Sequence, residues 1–144
     1  MSDPLLVVCP DCAATNRVPA ERLGGAPKCG RCKSALFQAH PVEVATAAFD
    51  RHVAPGAVPA LVDFWASWCG PCRQMAPHFA AAARELEPQV RLLKVDTEAE
   101  PMLASRYGIR SIPTLILFAD GRERARMSGA LDRASIVAWA RQQL

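Results

Sequence analysis

Six cysteines carry most of the chemistry this sequence can do. They fall into three Cys-x-x-Cys pairs: Cys9/Cys12, Cys29/Cys32 and Cys69/Cys72. Two thiols three positions apart either share a metal ion or interconvert with a disulfide, and the flanking residues decide which. Cys69 and Cys72 stand between an apolar run, residues 60–66, and an alanine-rich stretch of helical composition. A strand that gives way to a helix there puts the Cys69 sulfur at the helix N-cap, facing orphan backbone donors and the positive end of the dipole. A free cysteine titrates near ~8.5, and a useful value near ~7 needs about 2 kcal/mol of thiolate stabilisation. The dipole and one N–H bond together can supply that. Pro71 offers no donor, so the Cys72 N–H is the expected partner. Cys69 is therefore the candidate nucleophile, and Cys72, one turn into the helix, the more buried resolving thiol.

The resolving thiol must lose a proton. Asp63 is the candidate acceptor: strand alternation puts Leu61, Asp63 and Trp65 on one face, and an aspartate in so apolar a run is desolvated, which raises its pKa. Lys94, on the next predicted strand, is a moderating counter-charge. A plain buried ion pair between Asp63 and Lys94 is the competing reading.

The other two pairs have a different setting. Sixteen residues separate Cys12 from Cys29, the spacing of a four-cysteine zinc site built from two facing turns. About forty residues rarely bury enough surface to fold alone, and a structural metal is a common remedy. One structural zinc per chain, held by Cys9, Cys12, Cys29 and Cys32, is expected, with no bound organic cofactor. Gly30 is expected to supply left-handed geometry, and residues 5–8, 17–18 and 34–37 are short strand candidates. Local disulfides or idle thiols are the alternative. His40-Pro41 marks a boundary, because the residue before proline is driven out of the helical region. It separates a metal unit, residues 1–40, from a larger domain, residues 41–144.

In that domain the pattern alternates. Residues 42–45 suit a short strand, with Thr46 as N-cap of a helix over 47–54. Strand 60–66 is followed by a long helix over 71–87, with Pro77 inside it as a source of a kink. A strand over 91–96, a helix over 100–106 and a strand over 114–118 come next. Asp120-Gly121 signals a hairpin turn to residues 123–128. Asp132 is the N-cap of a final helix over 133–143. This predicts an α/β fold with a mixed sheet. Trp65 and Trp139 read as packing residues. His40, His52 and His78 read as surface or packing residues, and Arg122, Arg124 and Arg126 as a solvated strand face.

Several motifs in order then resemble one family: residues 62–72 through Trp68-Cys69-Gly70-Pro71-Cys72, the helix proline Pro77, Lys94-Val95-Asp96, residues 107–114 and Gly129. Residues 42–144 resemble the thioredoxin family, and the four-cysteine unit in front resembles its zinc-ribbon bacterial type. The resemblance implies the thioredoxin fold, a central mixed sheet flanked by helices, with a small N-terminal zinc ribbon. It implies a protein-disulfide reductase, and a cis bond before Pro113 beside the dithiol. It implies an apolar contact surface of Trp68 and Ile112 for disulfide-containing protein substrates. It implies electrons from an NADPH-dependent thioredoxin reductase. Gly70-Pro71 between the thiols resembles the reducing members.

Bulk properties set limits. With 144 residues, 51% hydrophobic and a net charge of +3, one ordinary core with a small appendix is expected, and nothing suggests nucleic acid or a membrane. Residues 1–8 carry no basic n-region and no long apolar run, so a soluble, cytoplasmic monomer is expected. A redox-dead scaffold that merely docks a partner is the competing function; the intact Cys-Gly-Pro-Cys with Asp63 and Pro113 argues against it.

Overall fold

The computed structural model describes residues 4–144. Residues 1–3, part of the amino-terminal stretch considered above, lie outside the described residues. Strand β1 (Leu5–Val8) pairs antiparallel with β2 (Thr15–Val18) and is followed by a 3-10 turn, Ala20–Arg22. Then come β3 (Val42–Glu43), α1 (Thr46–His52), β4 (Ala60–Trp65), α2 (Gly70–Leu86), β5 (Arg91–Asp96) and α3 (Pro101–Arg106). The chain closes with β6 (Thr114–Ala119), β7 (Arg122–Ser128) and α4 (Arg133–Gln142).

The larger sheet has the order β3-β5-β4-β6-β7. β5 is parallel to both β3 and β4, while β6 is antiparallel to β4 and β7. The apolar run of β4, broken by Asp63, follows from its place: covered on both faces, it does not alternate with polar residues. Its odd positions and those of β6 pack with α2 and α4 through Leu61, Met75, Phe79, Leu115 and Ile136. Its even positions pack with α1 and α3 through Val62, Phe64, Phe49 and Leu103. Asp63 is thereby committed to the α2 face.

The turn from β6 to β7 has Asp120 at φ 54° and Gly121 at φ 77°, the two left-handed positions that match strand twist in a tight hairpin. A Cβ on Gly121 would also come within 2.9 Å of Pro55 Cγ. β7 is an edge strand with exposed Arg122, Arg124 and Arg126, and charge blunts an edge against further pairing. Arg126 is paired with Glu123 at 2.6 Å.

Three local expectations fail for identifiable reasons. Thr46 does not cap α1; Ala45 holds that position, and Thr46 gives its N–H and hydroxyl to Glu100 at 2.9 and 2.8 Å. Residues 34–37 form no strand beyond an isolated bridge between Lys28 and Ala35. Gly30 is not left-handed. That geometry falls one residue after each pair, at Ala13 (φ 62°) and Lys33 (φ 69°), whose N–H groups return to the Cys9 and Cys29 carbonyls.

The cysteine-bearing unit is sewn onto the larger sheet. Leu6 N–H donates to Gly56 O, and Val58 N–H to Leu6 O, at 2.9 and 3.1 Å. Val58 shares a buried cluster with Val7, Cys9, Val18, Cys29 and Leu36. Arg91, 2% exposed, gives its guanidinium to Val8 O and Leu36 O, each at 2.8 Å, and to Glu87 at 3.2 Å. Phe37 stacks on it, 4.6 Å from the ring centroid. Burial and the charge of Arg91 push the titration of His52 down to about 3, so it packs as a neutral ring.

Candidate functional site

The polar end of α2 is built as the sequence predicts. Cys69 is the N-cap residue, at φ −83°, and its Sγ accepts the Cys72 N–H at 3.2 Å. Pro71 occupies the first turn, where a missing N–H leaves nothing unsatisfied. The two sulfurs are joined in a disulfide, with Cα atoms 5.2 Å apart. Burial separates them only slightly: Cys69 is 4% exposed and Cys72 2%. Gly70 is half-buried and Pro71 exposed.

Pro113 lies just before β6, whose start is registered against the end of β4 that leads to Cys69. The Ile112–Pro113 bond is cis, and Ile112 O lies 3.7 Å from Cys69 Sγ. Thr114 Oγ1 donates to Ser111 O at 2.6 Å, and Gly129 N–H to Pro113 O at 2.9 Å, which braces this bend against β7. Ile112 is half-buried and Trp68 is 63% exposed. Ile112, through its carbonyl, and Trp68, as the preceding residue in the chain, thus both neighbour Cys69. The Trp68 indole N–H is held by Glu98 at 2.5 Å. Glu98 was not legible as a site neighbour, because the contact spans 30 positions between two loops.

Asp63 is 1% exposed, and its Oδ1 has no hydrogen-bond partner among the described residues. Burial pushes its pKa up to about 7, with Lys94 opposing and Glu43 adding to the rise. Lys94 is its direct cross-strand partner. Among the described residues Lys94 has no ion pair; its ammonium lies 4.3 Å from the centroid of the Trp65 ring instead. The plain ion-pair alternative therefore finds no direct contact. Trp65 is half-buried rather than core, with its indole N–H on Glu43 Oε2 at 3.2 Å. Glu43 escaped the sequence reading because strand register is not written in a two-residue strand.

The four remaining cysteines form a second cluster. Their sulfurs all lie within 4.8 Å of one another. Cys9–Cys32 and Cys12–Cys29 are each 3.6 Å apart. A zinc ion with Zn–S bonds of ~2.3 Å requires sulfur separations of about 3.8 Å, so the donor set fits a tetrahedral ion. Cys29 Sγ also accepts N–H groups from Arg31 at 3.4 Å and Asn16 at 3.5 Å, and Asn16 Oδ1 takes the Gly30 N–H at 2.9 Å. Such donors suit a sulfur that carries negative charge. Asn16 is a further residue that spacing alone could not flag.

Comparison with known proteins agrees with both clusters. A family model described as Thioredoxin matches residues 40–142, and one described as Thioredoxin 2, N-terminal, a zinc ribbon, matches residues 8–34. Thioredoxin C-3 of Corynebacterium nephridii is 45% identical over 140 residues, covering 97% of this chain and 96% of that protein. Thioredoxin 1 of Synechococcus elongatus is 45% identical over 93 residues, 65% of this chain and 87% of its own length. Among solved structures, a mutant thioredoxin from Halobacterium salinarum superposes with a TM-score of 0.65 at 31% identity, over 73% of this chain and 91% of that one. With a dithiol at a helix N-cap and relatives that align along nearly its whole length, the chain belongs to the thioredoxin family, as a protein-disulfide oxidoreductase with an N-terminal zinc ribbon.

Proposed function

We propose that the chain reduces protein disulfides in two ordered steps. In the first, the Cys69 thiolate attacks one sulfur of a substrate disulfide. A Cys69–substrate disulfide forms, and the other substrate sulfur leaves as a thiolate and takes a proton from solvent. In the second, the Cys72 thiol passes its proton to the Asp63 carboxylate and its sulfur attacks Cys69 Sγ. The Cys69–Cys72 bond forms, the bond from Cys69 to substrate breaks, and its electron pair departs on the substrate sulfur, which takes a proton from solvent while Asp63 releases the one it accepted. The substrate gains two electrons and two protons, and the chain is left oxidised.

The observation that carries this reading is the Cys72 N–H on Cys69 Sγ at 3.2 Å, at the N-terminus of a helix of 17 residues. Both favour negative charge on Cys69 rather than on Cys72. An Asp63 carboxyl pushed up to about 7 is matched to proton uptake near neutral pH. Lys94 limits that rise. Gly70 and Pro71 set the approach of the two sulfurs, and Pro113 shapes the opposite wall. Trp68 and Ile112 form the rim on which an extended substrate segment lies. Reduced thioredoxin reductase, NADPH-dependent, is the electron source.

Zinc on Cys9, Cys12, Cys29 and Cys32 supplies cross-links that residues 1–40 need to hold their small core. Residues 41–144 carry the reaction. No helix among the described residues is long and apolar enough to cross a membrane, which is compatible with a cytoplasmic monomer.

Insulin reduction coupled to dithiothreitol tests the order of steps. Cys69→Ser should abolish turnover. Cys72→Ser should retain the attack but accumulate a mixed disulfide at Cys69, visible by mass spectrometry. Full turnover by Cys69→Ser, or a trapped adduct on Cys72, would overturn the assignment.

A further inference from the structure

Three charged side chains stand in one row across the sheet. Glu43 on β3 is registered against Lys94 on β5, and Lys94 against Asp63 on β4. Directly opposed residues of parallel strands point to one face, here the face covered by α2. The row runs inward from edge strand β3 to the buried centre of the sheet. Strands lie ~4.8 Å apart, so the three residues stand at successive strand spacings, with Lys94 between the two acidic residues.

Trp65 ties the row together. It lies two residues beyond Asp63, on the same face. Its indole N–H is held by Glu43 Oε2 at 3.2 Å, and Lys94 Nζ sits 4.3 Å from its ring centroid. Glu43 thus fixes the ring, and the ring's negative face fixes the ammonium. Asp63 Oδ1, buried and without a partner, feels this ammonium only through space. The charged groups that act on Asp63 are Lys94 on β5 and Glu43 on β3. Its β6 partner, Leu115, is apolar. Asp96, further along β5, acts on Glu43.

We propose that Glu43 is a positioning residue for the second step: it anchors Trp65 and shares the Lys94 ammonium with Asp63, and so keeps Asp63 basic enough to accept the Cys72 proton. With the Glu43 charge gone, Lys94 acts on Asp63 alone and stabilises its carboxylate, which becomes the weaker base. The electrostatics agree in sign, since burial raises Asp63, Lys94 lowers it and Glu43 raises it. The inference rests on the proposed role of Asp63 as proton acceptor.

The test is the carboxyl titration of Asp63 by carbon-13 NMR in the oxidised full-length protein. Asp63→Asn identifies the resonance. The pH profile of single-turnover disulfide reduction is recorded alongside. Glu43→Gln keeps the shape and an acceptor for Trp65 but removes the charge. It should lower the Asp63 midpoint by roughly 0.5–1 pH unit and move the acidic limb of the rate profile by the same amount. The rate plateau should fall about two- to threefold, as expected for a weaker base. Glu43→Ala should do the same and also change Trp65 fluorescence. An unchanged or raised midpoint in Glu43→Gln overturns the assignment. A different result, Asp63→Asn with the wild-type rate profile, would instead remove Asp63 as the acceptor, and the NMR midpoint would still report on Glu43.

Discussion

Asp63 shows how burial moves the titration of an ordinary carboxyl up to neutral pH. An unfolded chain ionises it near 3.8, whereas in the fold it holds its proton to about 7. Between those values the folded state binds more protons than the unfolded one, so stability falls as pH rises through this window and is flat above it. Asp63→Asn removes the penalty. The variant should be more stable than the wild type above pH 7, by up to roughly 4 kcal/mol, with no gain near pH 3. Urea unfolding at several pH values checks this, and the same variant should slow mixed-disulfide resolution. A gain equal at pH 3 and pH 8 would refute the linkage. At the same scale, Cys69 acquires its character from a single N–H and a helix end, which a sequence pattern can specify.

At the scale of elements, the decisive contact is between β5 and the cysteine-bearing unit. Arg91 and Glu87 are a buried pair with side chains 3% and 4% exposed. Arg91 also satisfies two backbone carbonyls, Val8 O just before Cys9 and Leu36 O just after the Cys29/Cys32 turn. Glu87 in turn accepts the Ala39 N–H at 2.8 Å. Arg91→Ala would leave a buried carboxylate and two buried carbonyls without their partner. Breaking such a pair from one side costs about 3–5 kcal/mol. The expected outcome is a loss of that order in equilibrium unfolding. Faster amide exchange at Val8 and Leu36 should accompany it, while the rate of insulin reduction under folding conditions stays unchanged. Retained stability would mean the junction is held by the hydrogen bonds of Leu6 to Gly56 and Val58 and the shared apolar cluster alone.

For the molecule as a whole, the two parts share a core, because Val58 of the larger part completes the cluster of Val7, Val18 and Leu36. Removing residues 1–40 would expose Val58 and strip Arg91 of two acceptors. Residues 41–144 alone should therefore keep disulfide reductase activity but unfold at lower denaturant than the full chain. Metal analysis should find one zinc per full-length chain and none in the truncated one. Chelation of the full chain should loosen residues 4–40 first, read as amide exchange there, before the larger sheet responds. Equal stability of the two chains would refute this coupling.

Much of this was legible along the chain. The β4 run, the Asp120-Gly121 turn, the Asp132 cap and the cysteine pairs are local patterns, and local geometry follows from nearby residues. The helix-capping sulfur, the four-sulfur donor set and the strand face that Asp63 shares with Leu61 and Trp65 follow from residue type and spacing along the chain. Which charges meet depends on how the strands and loops assemble. Glu43 with Lys94 and Asp63, Glu98 with Trp68, and Arg91 with Val8 and Leu36 are joined across 20 to 83 positions by sheet register and loop packing. A one-residue change of register would turn each strand's charges to the other face. Nothing in the local spacing of those residues encodes the register, which is fixed by burying both faces of β4 at once.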